Sequence, residues 1–188
     1  MNSRSLYQSW IKMSRVIRKS KDRSSAEAAE LLSSILLAEI SFPSKCLWLI
    51  SPWISDIPII DNRTYSISVF QACGPRFIRL TEVLIYLASQ GTTVVIGTTD
   101  DASNDVFLTR IRLAFAEIGL ENLLILDIDK SNKLHEKSIV GDDLSISGSM
   151  NITNNGVFIR EELIQVHTDE ESVAKARMDA FERFGGRL

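Results

Sequence analysis

The stretch His135-Glu136-Lys137-Ser138-Ile139-Val140-Gly141-Asp142-Asp143-Leu144-Ser145-Ile146-Ser147-Gly148-Ser149-Met150-Asn151 decides how the chain is read. Two short segments that read as strands, 137–140 and 144–147, flank Gly141-Asp142-Asp143, which predicts a β-hairpin. His135 and Lys137 stand two apart, so on an extended strand an imidazole and an ammonium emerge on the same face. On the second arm, Ser149 and Asn151 do the same with a hydroxyl and an amide. A nucleophile together with several donors for phosphate oxygens is the equipment of phosphoryl transfer. His-x-Lys alone is commonplace; its weight here comes from Asp142, Gly148, Ser149 and Asn151 at defined offsets. The only other histidine, His167, reads as a surface or cap residue at a strand end.

Outward from the hairpin, upstream, 123–128 is an apolar run that reads as a strand. Before it, Phe107, Ile111, Ala114, Phe115 and Ile118 form a helical stripe. Residues 92–98 (TTVVIGT) are β-branched and short, and the Gly97-Thr98-Thr99-Asp100 segment after them reads as a turn and cap. Phe77, Leu80, Leu84 and Leu87 predict a helix over 77–90, stopped by Gly91. Residues 52–76 read as a long loop with a short strand at 65–69, in which Trp53, Arg63, Tyr65 and Arg76 are candidate nucleic-acid contacts. KCLWLIS at 45–51 suits a strand buried on both faces. Ahead of it, Ser24 and Glu27 have capping-box spacing for a helix carrying Leu31, Leu32, Ile35 and Leu36, with Pro43 beyond its end. Downstream, 161–167 reads as a strand, and a last helix runs from Thr168, spaced from Glu171 as a capping box, to Gly185. The alternation of strands and helices implies an α/β fold with a mixed sheet flanked by helices.

The 188 residues, 45% hydrophobic and 24% charged, suit one core. No stretch is long and apolar enough for a membrane span or a secretory signal, so a cytoplasmic protein is expected. Cys46 and Cys73 lack metal-ligand spacing and read as reduced thiols. The net charge of −3 is uneven: seven Lys or Arg against Asp22 make residues 1–23 +6, leaving −9 elsewhere. That segment reads either as a cationic arm for a polyanion or as a helix with Leu6, Trp10, Met13 and Ile17 as its apolar stripe. The expected organisation is an N-terminal helical segment, 1–42, packed on a domain of 43–188.

The motif resembles the HKD motif of the phospholipase D superfamily, and the strand–helix alternation resembles one half of those enzymes, a phospholipase D-like half-fold with an N-terminal helical extension. The resemblance implies that His135 attacks phosphorus to form a phosphohistidine, that Lys137 binds the phosphate, and that Ser149 and Asn151 support it. Asp142, with Asp143 as the alternative, takes the structural aspartate position beside Gly148. A carboxylate on the following strand, Glu162 with Glu161 as the alternative, is expected against the imidazole. No metal or other cofactor is implied. Two departures stand out: five residues separate Asp142 from Gly148 where the family usually has six, and there is no second His-x-Lys. A complete site then requires a homodimer.

The resemblance points to a metal-independent nuclease acting on DNA, as in the bacterial single-motif branch. The Ser51-Pro52-Trp53-Ile54 segment adds a likeness to the phospholipase D-like proteins of bacterial deazapurine DNA modification and restriction systems, a defence setting with further protein partners. Two alternatives are carried: a catalytically inactive DNA-binding or scaffold module, and a phospholipid phosphodiesterase.

Overall fold

The computed structural model describes residues 14–18, 26–131 and 133–188. The elements in chain order are β1 (Ser14–Arg18), α1 (Ala26–Ser41), β2 (Cys46–Ile50), β3 (Pro58–Asp61), β4 (Phe77–Arg79), α2 (Leu80–Ser89), β5 (Thr93–Thr99), α3 (Asp105–Glu117), β6 (Leu124–Asp129), β7 (Ser138–Val140), β8 (Ser145–Gly148), β9 (Leu163–His167) and α4 (Glu170–Phe184). Seven strands form one mixed sheet in the order β1-β9-β8-β7-β2-β5-β6, and β3 and β4 pair separately. β2, β5 and β6 run parallel, and β7, β8, β9 and β1 continue the sheet antiparallel. Among the described residues, no helix is long and apolar enough to cross a membrane.

All five residues of β2 are buried, and their alternation separates two cores. Leu47 and Leu49 join Leu32 and Leu36 of α1, Leu84 and Leu87 of α2, and Phe107, Ile111 and Phe115 of α3. Cys46, Trp48 and Ile50 point the other way, into a smaller cluster with Val95, Leu134, Val140, Ala180 and Phe184. Three helices therefore cover one face and α4 the other. Burial pushes the Cys46 thiol up to about 11, so it stays protonated and behaves as a small apolar side chain. Trp48 donates its indole N–H to the Gly185 carbonyl at 2.8 Å, tying the end of α4 to the central strand.

Several expectations are corrected. Ser14–Arg18 is a strand paired antiparallel with β9, not part of a first helix; Leu6, Trp10, Met13 and Ser24 lie outside the described residues. Phe77 belongs to β4, opposite Asp61, and α2 begins three residues later. The expected strand at 65–69 is instead a turn and a 3-10 helix, Ser68–Cys73, and the strand in this region is β3. Asn62 accounts for the turn: its buried amide donates to the Phe70 carbonyl at 3.1 Å and accepts from Ile67 N–H at 3.3 Å. α4 is capped by Asp169, which accepts from Ser172 N–H at 2.9 Å, rather than by Thr168. Ile118 falls beyond α3 and is exposed.

At Gly97 of β5 a Cβ would lie 2.8 Å from the Phe184 ring, so the absence of a side chain lets α4 settle on the sheet. Gly97→Ala is expected to lower unfolding free energy by about 1–3 kcal/mol. In a Phe184→Leu background the same substitution should cost less, which urea denaturation of the four variants of the cycle will measure.

Candidate active site

The ends of four sheet segments converge at one edge of the fold. Ile50 faces Ser138, Ser138 faces Ser147, and Gly148 faces Ile164, so Ser51, Lys137, Ser149 and Glu162 leave the sheet side by side. Gly148 makes this packing possible: its φ is 152°, and a Cβ would stand 2.0 Å from the Leu163 carbonyl oxygen. No other residue fits there. Its N–H donates to the Lys137 carbonyl at 3.2 Å, while Ser149 N–H donates to Leu163 at 3.0 Å.

Of the two candidate carboxylates, Glu162 is buried at the site edge and Glu161 is exposed. Ser149 donates its hydroxyl hydrogen to Glu162 and accepts from Leu163 N–H at 3.0 Å. Lys137 is half-buried, and desolvation lowers its pKa against the opposing pull of the Glu162 carboxylate. Asn151 is buried, with its side-chain amide 3.3 Å from Ser51 Oγ. Ser51 also accepts from Ile152 N–H at 3.2 Å, binding the end of β2 to the segment after β8. Beside Lys137 and Gly148 lies a small, mostly apolar pocket whose walls are Ile139, Ile146, Met150, Ile152 and Ile164; His135, Ser149, Asn151 and Glu162 do not line it.

His135 sits in the extended approach to β7, since the strand itself starts at Ser138. Its side chain is exposed, and Lys137 Nζ donates to its backbone carbonyl at 2.6 Å. Among the described residues the ring makes no hydrogen bond with Glu162; the carboxylate is taken by Ser149 instead. The strand alternation expected for His135 and Lys137 therefore holds only as spacing.

Asp142 occupies the opposite end of β7, in the hairpin turn closed by Gly141 N–H to Leu144 O at 2.9 Å. It accepts from Lys45 N–H at 3.1 Å and pairs with Arg177 at 3.1 Å; Asp143 is exposed. Its own N–H donates to Ser44 Oγ at 2.7 Å, and Ser44 donates in turn to buried Glu39, whose carboxyl is pushed up chiefly by burial. Asp142 thus lies a strand's length from Lys137.

Of the loop candidates, Trp53 is at the site: Ser51 Oγ donates to its carbonyl at 2.7 Å, and its exposed indole donates to Asp101 at 3.1 Å. Arg63 is paired with Asp61 and lies over the Phe77 ring, Arg76 is paired with Glu82, and Tyr65 holds a turn with φ of 56°. The two cations are thus already neutralised. Thr98 and Thr99 bond the Pro52 carbonyl, so the Gly97–Asp100 segment is structural. Sequence reading missed Asn104, buried, whose amide donates to Pro52 O at 2.9 Å and accepts from Ile54 N–H at 2.9 Å, holding the Trp53 loop. It also missed Asp129, which accepts from the amides of Ser131, Lys133 and Leu134 just ahead of His135. Asp129-Lys130-Ser131 was a legible signal for such a turn.

No family model and no curated protein matches the sequence. Solved structures do. NucT from Helicobacter pylori superposes with a TM-score of 0.52 at 14% identity, over 93% of this chain and 99% of that one. Nuc from Salmonella typhimurium, a phospholipase D family member, gives 0.50 at 16%, over 93% and 97%. TrmBL2, an archaeal chromatin protein with a novel mode of DNA binding, gives 0.51 at 14%, over 90% of this chain but only 50% of its own. The chain thus spans half the length of the chromatin protein and nearly all of the other two. At such identities the likeness is one of architecture, and the architecture is the phospholipase D fold.

Proposed function

We propose that the chain is a phosphodiesterase that cleaves DNA without a metal, through a phosphohistidine on His135, with the site completed by a second copy. The observation that carries this reading is the gathering of Lys137, Ser149, Asn151 and Glu162 at one sheet edge, with His135 two residues ahead of Lys137.

In this reading an imidazole nitrogen of His135 attacks phosphorus, and the bond from phosphorus to the leaving oxygen breaks. The leaving oxygen takes a proton from the same histidine of the second copy. Water then displaces the phosphoryl group from His135, giving its proton back to that second imidazole. The Lys137 ammonium holds a non-bridging oxygen, and Glu162, oriented by Ser149, keeps that ammonium charged despite its burial. Asn151, buried beside Ser51, adds an amide at the same end of the sheet. Nucleic acid as substrate is supported by the +6 charge of residues 1–23, by the exposed, hydrogen-bonded indole of Trp53 beside the site, and by the fold shared with a DNA-binding chromatin protein.

One observation favours a second reading. Glu162 is engaged by Ser149 rather than by the imidazole, as suits an inactive DNA-binding module, which could act alone or with proteins of a bacterial defence system.

Labelled DNA, RNA and phospholipid incubated in EDTA separate these readings. Cleavage of DNA, reduced roughly 10³-fold or more by His135→Ala, is expected. DNA retained without cleavage by the folded wild type would establish the module, and lipid hydrolysis alone would move the activity to membranes. Light scattering should find a dimer, and a strict monomer that still cleaves would remove the shared site.

The lowered pKa of Lys137 sets a pH dependence. The ammonium is the working form, so the rate should fall as pH rises through a value below lysine's ordinary 10.5. Lys137→Arg, which stays charged, should shift that alkaline limb upward even where it lowers the plateau.

A further inference from the structure

The passage from β6 to Lys137 carries contacts that the chemistry above does not use. Asp129, the last residue of β6, accepts from Ser131 N–H at 2.8 Å and from the Ser131 hydroxyl with one oxygen. With the other it accepts from Lys133 N–H at 2.8 Å and Leu134 N–H at 2.7 Å. Leu134 is then buried in the cluster of Cys46, Trp48, Ile50 and Phe184 beneath α4. Beyond His135, Lys137 Nζ donates to the His135 carbonyl at 2.6 Å. Glu136 accepts from the Ser138 hydroxyl at 2.7 Å and pairs with Arg183 of α4 at 3.2 Å.

His135 is therefore held from both sides through its backbone, while its ring has no hydrogen bond among the described residues. An imidazole has two side-chain torsions, and on a fixed backbone they select among a few staggered positions. On a loose backbone the same ring is spread over a volume far larger than an in-line attack tolerates. Hydrogen bonds from the Ser131 hydroxyl and then from the loop amides hold the Asp129 carboxyl down at about 2. The tie is consequently intact above the ordinary carboxylate value of 3.8 and is lost only as pH falls through about 2.

We propose that Asp129 is the positioning residue of His135: by gathering the amides of Ser131, Lys133 and Leu134 it sets the backbone from which the imidazole reaches the site. The proposal rests on the reading of His135 as nucleophile. It adds a contribution from β6, a strand at the far edge of the sheet that supplies no other residue to the chemistry.

The chain has two histidines, His135 and His167, so ring-labelled histidine gives two resolvable signals in a nuclear magnetic resonance spectrum. Asp129→Ala should broaden the His135 ring signal or move it toward its free-peptide position while leaving His167 in place. Asp129→Asn, which keeps an acceptor for Ser131, should recover part of the change. In DNA cleavage, Asp129→Ala should lower kcat by about 10- to 100-fold with KM little altered. An unchanged His135 signal in Asp129→Ala, or both signals moving together, would overturn the positioning role. The ring signals decide this whether or not the wild type cleaves DNA, so failure of the catalytic reading and failure of the positioning are read separately.

Discussion

The central strand, Cys46–Ile50, has no side facing water, and the rest of the molecule is arranged around that constraint. A strand with apolar side chains on both faces must be covered twice, by three helices against Leu47 and Leu49 and by α4 against Trp48. It also separates the two halves of the sheet. On one side lie the parallel strands β5 and β6, with helical connections that bring the chain back over the first core. On the other side lies the antiparallel run from β7 to β9, with a tight turn between β7 and β8 and a longer connection, containing a helical turn at Asn155–Ile159, between β8 and β9. The candidate site opens where the halves meet, at the C-terminal end of β2, where Ser51 reaches Asn151.

The motif is compact in sequence but divided in space. Lys137, Gly148, Ser149 and Asn151 stand at one end of the β7–β8 hairpin, whereas Asp142 stands at the other and fastens the turn to Lys45 and Arg177. Its carboxylate has a conformational task in the turn, away from the residues gathered at the candidate site. Between the two ends the hairpin keeps a regular register, Ser138 opposite Ser147 and Val140 opposite Ser145.

The parts of the fold governed by local periodicity were legible. β2, β5, β6 and α3 were readable because each buries a continuous run or a stripe, and the hairpin because Gly141-Asp142-Asp143 is a turn signal. The parts governed by distant pairing were not. Phe77 has helical spacing to Leu80, yet it extends opposite Asp61 and receives the Arg63 guanidinium on its ring. Ile17 continues a helical stripe, yet pairs with Ile164 of β9. At the candidate site, the nearness of Lys137, Ser149 and Asn151 could be anticipated from their spacing, whereas the burial of Glu162 beside Ser149, rather than bonded to the His135 ring, could not. Trp53 was marked as one of four similar residues; only the structure shows two of the others, Arg63 and Arg76, paired with carboxylates.

β1 forms one edge of the seven-stranded sheet among the described residues. An edge strand exposes unpaired peptide groups and invites a second sheet to add to it, the route by which β proteins aggregate. This one is five residues long and carries Arg15 and Arg18, both exposed. Another copy approaching edge to edge would bring like charges together as its backbone hydrogen bonds formed. The same basic residues that favour a polyanion thus also act as gatekeepers, keeping the sheet finite.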